Sequence, residues 1–412
     1  MTDTLIVEII REGAKLKMSA IDKIDQASLT LKHYSELEIQ DKEITELSND
    51  IAALLGKASH AGMAEQNLLS ELKKTGQLLF DQLLTIEVKE KLHTISPNHL
   101  IFSTDEKLVQ IPWELLFDGD EFLCLKYALG RMVRTKQKSH TIQSQRPPAS
   151  CRKMLIIADP TGDLEEAYRE GVEIRNDLDK QKNRINVDLH ATELDVHFFK
   201  KNVHDYDIVH FAGHADYDEN PSESGWRFKE GKLTAKEIVQ LGGSSPLPTL
   251  VFSNACESAK TEEWKTEKSF EDKIYGLANA FLLAGTKHYI GTFWKVADKS
   301  GFLFAKEFYK QLIQGASIGD AVKLARKSLA GEFGDGSIVW ASYLLYGDPT
   351  TVFFPTQAQR ALVDQGFRIS RSTQYLMAAV LLAAAIILAA FFSKSFLAGL
   401  SQLKALWLHS TR

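Results

Sequence analysis

From residue 153 onward, short apolar runs alternate with stretches of helical spacing, and this alternation limits the fold more than any other feature of the sequence. The runs of strand length are Met154–Ala158, Asp207–Phe211, Thr249–Ser253 and His288–Trp294. The segments between them have helical periodicity. This order favours an α/β fold with a parallel sheet that has helices on both faces. In such sheets, functional sites form outside the carboxyl ends of the strands.

The rest of the chain divides by composition. Residues 4–38 contain period-two alternation typical of half-buried strands, and residues 40–57 and 63–92 have helical spacing. The predicted organisation is an N-terminal α+β subdomain at 1–135, a linker at 136–152, a core at 153–355, a juxtamembrane connector at 356–374, a transmembrane helix at 375–392 and a short basic tail at 393–412.

The segment Tyr375–Phe392 contains 18 residues without a charge. As a helix it would be about 27 Å long, close to the thickness of a hydrocarbon core. The alternative is a buried helix of a soluble protein. The N-terminal apolar stretch is broken by Glu8 and has no basic leader, so it is not a secretory signal. We therefore expect a single-pass protein that contacts the lipid bilayer through Tyr375 to Phe392, with the large N-terminal part in the cytoplasm.

Composition excludes several functions. The net charge of −5 gives no electrostatic support for nucleic-acid binding. The cysteines are sparse and odd in number, which argues against a disulfide framework or a four-cysteine metal site. His210 and His214 have i, i+4 spacing, but they lie in a predicted strand and no acidic residue completes a zinc motif. No metal or other cofactor is expected.

Two segments have the pattern of a reactive site. Val209–Ala215 and Leu250–Ser258 are each an apolar strand that ends in small residues and then presents a reactive side chain, His214 or Cys256. If the strands are neighbours, both side chains lie at one edge of the sheet. A thiol needs an adjacent base, and a histidine that precedes a cysteine by about 40 to 50 residues matches the caspase order. The alternative is a buried core cysteine and an ordinary polar histidine.

Other residues of this candidate site follow from the same placement. Peptide cleavage needs an oxyanion hole, and the backbone N–H groups of Ala215 and Cys256 are the candidates because both lie where strands open into turns. His210 is the rival base, but its earlier position in the strand favours a buried structural role. Cys124 and Cys151 are predicted to be inert.

The residues resemble a known family, the CHAT-domain proteins. These form a branch of the caspase-like (clan CD) cysteine peptidases, which include separases. The resemblance covers about residues 1–355 and rests on eight landmarks in the expected order: Ile111-Pro-Trp-Glu-Leu-Leu116, Ile157-Ala-Asp-Pro-Thr-Gly-Asp-Leu164, His210-Phe-Ala-Gly-His214, Gly231-Lys-Leu-Thr-Ala-Lys-Glu-Ile238, Ser253-Asn-Ala-Cys-Glu-Ser258, Gly276-Leu-Ala-Asn-Ala-Phe-Leu-Leu-Ala-Gly285, Gly291-Thr-Phe-Trp-Lys-Val296 and Leu345-Tyr-Gly-Asp-Pro349.

The resemblance implies that His214 and Cys256 are the catalytic pair of a caspase-like parallel-sheet sandwich. This sequence departs from the family pattern at Ala215, where other members frequently have glycine. The resemblance also implies that Asp159 and Asn254 lie in the regions that line the S1 pocket. An acid at Asp159 would suit a basic P1 side chain, and a small apolar P1 is the alternative. Asp159 is also suited to capping the turn before Pro160.

Bacterial CHAT peptidases resemble death-effector proteases. Some are linked to antiphage defence, and some lie beside gasdermin-like pore formers whose inhibitory tail they cut. The resemblance and the apolar helix together predict a membrane-anchored cysteine endopeptidase at the bacterial inner membrane, with its catalytic domain facing the cytoplasm. Its partner would be a protein substrate such as a gasdermin-like pore former. The alternative is a catalytically silent CHAT module that acts as a membrane-bound scaffold.

Overall fold

The computed structural model describes residues 3–23, 32–61, 66–135, 151–216, 220–243, 245–255, 276–292, 298–334 and 336–360. Several predicted features lie outside these ranges. They are Cys256, most of the linker at 136–152, most of the connector at 356–374, and the whole of the predicted transmembrane helix and basic tail. Within the described ranges, every helix is too short or too polar to cross a lipid bilayer.

The described residues form both strands and helices. The strands are β1 (Thr4–Glu12), β2 (Lys15–Asp22), β3 (Ser35–Glu38), β4 (His99–Asp105), β5 (Ala128–Arg134), β6 (Arg152–Ala158), β7 (Ile185–Ala191), β8 (Ile208–Ala212), β9 (Ala215–Asp216), β10 (Gly225–Arg227), β11 (Lys232–Thr234), β12 (Leu250–Asn254), β13 (His288–Thr292) and β14 (Tyr343–Tyr346). The helices are α1 (Asp41–Ala61), α2 (Gln66–Leu83), α3 (Ile86–Ile95), α4 (Leu123–Lys126), α5 (Glu165–Leu178), α6 (Val196–Asn202), α7 (Ala235–Leu241), α8 (Leu277–Leu283), α9 (Asp298–Gln314) and α10 (Ile318–Phe333).

Eleven strands form one sheet in the order β3-β2-β1-β4-β5-β14-β13-β12-β8-β6-β7, and a separate small sheet has the order β11-β10-β9. In the large sheet, the antiparallel contacts are β1–β2, β2–β3 and β13–β14. The other contacts are parallel. The predicted α/β class with a mostly parallel sheet is therefore confirmed.

The central strands are covered on both faces. Every residue of β8 and of β13 is buried, as expected for parallel strands between two layers of side chains. Helix α5 packs on β6 and β7 through a buried stripe that includes Gly171 and Ile174. A Cβ atom on Gly171 would lie 2.5 Å from the Cβ of Ala158, so the glycine allows α5 to approach β6 closely.

The N-terminal strands belong to the same sheet as the core strands. Strand β5 pairs with β14 at Arg131 and Tyr346, and β1, β2, β3 and β4 extend the sheet from there. The predicted boundary between residues 1–135 and 153–355 thus falls between strands of one sheet. Met1–Phe354 form one compact unit and Pro355–Arg412 form a second, in which residues 357–360 are helical.

The helical spacing predicted over residues 63–92 belongs to two helices, α2 and α3. The break lies at Leu84 and Thr85, where Thr85 has the extended backbone of an N-cap residue. Both residues are buried. The apolar spacing continues across the break, and for this reason the sequence pattern does not reveal it.

Candidate active site

The carboxyl ends of three parallel strands lie side by side and define the candidate site. Ala158 of β6 is in register with Ala212 of β8, and Ala212 is in register with Asn254 of β12. The strands that precede His214 and Cys256 are therefore parallel neighbours, as the predicted site requires. Cys256 itself lies outside the described residues, two positions after the end of β12.

His214 follows β8 after one glycine. A Cβ atom on Gly213 would lie 3.0 Å from Cδ of Pro160 and 3.1 Å from the ring of Phe211, so a larger residue would crowd this exit from the sheet. The carbonyl of His214 accepts a hydrogen bond from the backbone N–H of Arg227 at 3.0 Å. The imidazole is 34% exposed. The backbone of His214 is therefore held by the small sheet, while its ring is partly open to solvent.

Among the residues that the structure describes, the imidazole contacts the carboxylate of Asp163. Its Nε2 atom lies 3.1 Å from Oδ2 of Asp163, which is in the loop after β6. The pKa of Asp163 is lowered by a hydrogen bond from the Thr161 hydroxyl and by the contact with His214, so this group stays ionised at neutral pH. Because Nε2 is engaged by the carboxylate, Nδ1 is the nitrogen that would exchange a proton with a thiol. Sequence reasoning missed Asp163, although it belongs to the second landmark.

Ala215 lies in β9 opposite Trp226 of β10. The hydrogen bond from Arg227 to His214 shows that the hydrogen-bonded positions of this ladder flank Ala215. The N–H of Ala215 therefore points away from β10, toward the edge of the small sheet. This direction is compatible with the predicted oxyanion hole, which stays a prediction because it needs Cys256 as well.

Asp159 is used by its own turn. Its Oδ1 atom accepts hydrogen bonds from the backbone N–H groups of Gly162, Asp163 and Leu164 at 2.9, 3.0 and 3.0 Å. Asp159 has a φ of 48° and is 4% exposed. This is the turn-capping role that the sequence offered as the alternative, and the turn places Asp163 beside His214. The role of Asp159 in a substrate pocket stays a prediction.

Asn254 has protein partners at both ends of its amide. Its Nδ2 donates to Oε1 and Oε2 of Glu170 at 2.9 and 2.8 Å, and its Oδ1 accepts from the Tyr343 hydroxyl at 2.8 Å. These contacts hold the side chain within the fold. The role of Asn254 in a substrate pocket likewise stays a prediction.

His210 has the buried setting that its place in the strand predicted. It is 0% exposed, its ring is stacked at 5.1 Å on that of Phe252, and its Nδ1 lies 3.2 Å from the Tyr309 hydroxyl. A base in this position has no access to a peptide substrate. In the described ranges, no group of three or more His, Cys, Asp or Glu side chains is arranged to hold a metal ion.

Comparison with solved structures shows which fold this is. Two crystal structures of the Saccharomyces cerevisiae separase–securin complex superpose with TM-scores of 0.56 and 0.52, at 12% identity, over 84% of this chain and 30% of the matched chain. The Arg-specific cysteine proteinase gingipain R superposes with a TM-score of 0.48, at 15% identity, over 76% of this chain and 79% of that chain. The chain thus shares the fold of one part of the separase complex and covers under a third of the matched chain.

Comparison with curated protein sequences gives no match. The family model of the CHAT domain matches residues 73–348, which is more than half of the chain. The matched region includes the strands β6, β8 and β12 that carry the candidate site, and it confirms the family predicted from the landmarks. This chain belongs to the CHAT domain family.

Proposed function

We propose that this chain is a cysteine endopeptidase in which Cys256 is the nucleophile and His214 is its general base and acid. The observation that carries the proposal is the setting of His214. His214 follows the end of β8, and its Nε2 contacts Asp163 in the loop after β6. Strand β8 is the parallel neighbour of the strand that leads into Cys256. Membership of the CHAT family supports the same pair.

The proposed reaction proceeds through a thioester. The Cys256 thiol gives its proton to His214, and the sulfur bonds to the carbonyl carbon of the scissile peptide. The backbone N–H groups of Ala215 and Cys256 stabilise the negative oxygen. The imidazolium then protonates the leaving amine as the C–N bond breaks. Water attacks the thioester while His214 accepts its proton, and the thiol is regenerated when that proton returns to sulfur.

We propose a protein substrate that acts at a membrane. The separase that shares this fold was solved in a complex with securin, which supports a protein as the class of partner. The uncharged segment Tyr375–Phe392 is long enough to cross a bilayer as a helix. It would hold the peptidase on the cytoplasmic face of the bacterial inner membrane. Cleavage there would release a gasdermin-like pore former at the membrane into which it must insert. The process served would be antiviral defence or cell death.

The test compares cleavage products of the wild type with those of Cys256→Ala and His214→Ala. Each full-length variant is expressed in cells together with a candidate partner. The new N-termini of the partner and of the host-cell proteins are then sequenced. We expect new termini with the wild type, none with either variant, and wild-type products with Cys151→Ala as the matched control. The same termini in Cys256→Ala would refute the proposal.

The silent-scaffold alternative makes a different prediction. A peptidyl electrophile that reacts with thiols should label Cys256 in the wild type, and labelling should fall at least about tenfold in His214→Ala because the base that activates the thiol is absent. A scaffold with an unused cysteine would show equal labelling in both proteins. The two candidate functions are therefore separated by one mass-spectrometric measurement.

A further inference from the structure

A group of buried and partly buried polar side chains lies below the carboxyl edge of β8 and β12. Its members are Glu170 on α5, His210 on β8, Asn254 on β12, Tyr309 on α9 and Tyr343 on β14. Glu170 is 4% exposed and His210 is 0% exposed. The reaction proposed above uses none of these side chains.

Glu170 is the centre of this group. Both of its carboxylate oxygens accept from Nδ2 of Asn254, at 2.9 and 2.8 Å. Its Oε1 also lies 3.0 Å from Nε2 of His210, a close contact without a hydrogen bond. The hydrogen bonds of the carboxylate are therefore directed at Asn254, on the strand that leads to the predicted nucleophile.

The position of Glu170 on its helix is costly without such a role. It lies on the buried face of α5 beside Gly171, Ile174 and Leu178. A carboxylate on an apolar face loses its hydration, and burial is tolerated only when polar partners replace the water. An apolar residue would satisfy the packing of α5 alone. The carboxylate is explained by what it holds, since Gly171 brings this turn of α5 close to the sheet.

We propose that Glu170 is a positioning residue for the nucleophile. By fixing the Asn254 amide at the end of β12, it sets the direction in which the backbone leaves the sheet toward Cys256, two residues later. Tyr343 holds the other end of the same amide, so the strand end is clamped from two sides. This inference rests on the proposed function and names a residue that sets the geometry of that same site.

The test uses Glu170→Gln in the full chain, with cleavage of a protein substrate and alkylation of Cys256 by iodoacetamide as two separate readouts. The glutamine keeps the shape but replaces one of the two oxygens that accept from the Asn254 amide by an N–H donor, so the Asn254 contact weakens. We expect kcat to fall about 10- to 100-fold with KM within about twofold, because a small displacement of a reacting atom has effects of this size. The alkylation rate of Cys256 should change by at least about threefold.

The rescue variant is Glu170→Gln combined with Asn254→Asp, which reverses the direction of the hydrogen bond. We expect it to restore most of the lost kcat and the alkylation rate. The matched control is Glu173→Gln, one turn along α5, whose partly exposed carboxylate pairs with Lys306.

Wild-type kcat and alkylation in Glu170→Gln would overturn the inference, as would equal losses in Glu173→Gln. If even the wild type cleaves nothing, the proposed function fails. The alkylation comparison then decides the inference, because it needs only the thiol.

Discussion

At the scale of single residues, the carboxylate of Asp163 contacts Nε2 of His214 and so favours one orientation of the imidazole. The turn capped by Asp159 positions the backbone of Asp163, and the Asp163 side chain then reaches Nε2 of His214. Sequence reasoning found no residue to orient the histidine. The two residues are 51 positions apart, and only the pairing of β6 with β8 brings their loops together.

Replacing Asp163 by asparagine should slow the reaction without loosening substrate binding. The amide keeps the shape but removes the negative charge that favours the imidazolium formed during catalysis. Because Asp163 is 62% exposed, solvent screens part of this effect, and we expect kcat to fall about 10-fold with KM nearly unchanged. Steady-state cleavage kinetics measure both. Glu166→Gln, at the start of α5, is the control, and equal losses in both variants would contradict the role of Asp163.

His288 should make the fold sensitive to mild acid. Burial lowers its pKa from 6.5 to about 4. Below pH 6.5 the unfolded chain binds a proton at this imidazole, whereas the folded chain binds it only near pH 4. The contribution of His288 to the free energy of unfolding is therefore complete above pH 6.5 and falls as the pH drops from 6.5 toward 4. We expect this residue to lower the free energy of unfolding by about 2 kcal/mol between pH 7.5 and pH 5.

Urea unfolding at the two pH values measures this difference. His288→Gln should lose less stability over the interval than the wild type, because glutamine does not titrate. His93→Gln, at an exposed position on α3, should behave as the wild type does. An unchanged pH dependence in His288→Gln would show that another group is responsible.

At the scale of elements, a buried ion pair joins β5 to the segment that follows β4. Nε of Arg131 donates to Oε1 of Glu114 at 2.8 Å, and Nη2 donates to the carbonyl of Ile111 at 3.0 Å and to Oε2 of Glu114. Both charged side chains are 0% exposed. This contact explains why the first landmark contains an acidic residue, Glu114. From the sequence alone, that landmark served only to identify the family.

Arg131→Met should destabilise the fold strongly, because it leaves the Glu114 carboxylate buried without its counter-charge. The expected loss in free energy of unfolding is about 3–5 kcal/mol, measured by denaturant titration. Adding Glu114→Leu to this variant should recover most of the loss, since the uncompensated charge is then absent. The control Lys74→Met, in an exposed pair with Glu71, should change stability by less than about 1 kcal/mol. A loss below 1 kcal/mol in Arg131→Met would contradict this account.

The same scale shows why some elements could be predicted and others could not. The alternation after residue 153 predicted β6, β8, β12 and β13, because these strands are mostly buried on both faces and appear as short apolar runs. It did not predict β7, whose burial alternates along the strand. The buried role of Glu170 is only weakly indicated by the sequence, as an acidic residue on the apolar stripe of α5. Its partner Asn254 is 84 positions away, so local periodicity does not connect the two.

At the scale of the whole molecule, the sequence did not reveal that the N-terminal strands complete the same sheet. The junction is the pairing of Arg131 with Tyr346, and neither residue type nor periodicity encodes which distant strands become neighbours. The eight landmarks predicted the family because their order reflects the whole fold. They do not encode the side-chain contacts between those landmarks, such as that of His214 with Asp163.

The predicted anchor at 375–392 belongs to this largest scale, because it would decide where the proposed peptidase acts. Replacing Ala383 and Ala384 by aspartate puts two charges at the centre of the segment, each opposed by about 3 kcal/mol in a spanning helix. We expect the wild-type full chain to float with lipid vesicles after carbonate extraction and the double aspartate variant to stay in the soluble fraction.

The matched control replaces the same two alanines by leucine, which should float as the wild type does because the segment stays apolar. Flotation of the aspartate variant would show that Tyr375–Phe392 does not carry the attachment. If all three proteins stay soluble, the segment is no anchor, and cleavage at a membrane loses its support. If only the aspartate variant is soluble yet it cleaves the partner as well as the wild type does, the anchor is not required for cleavage.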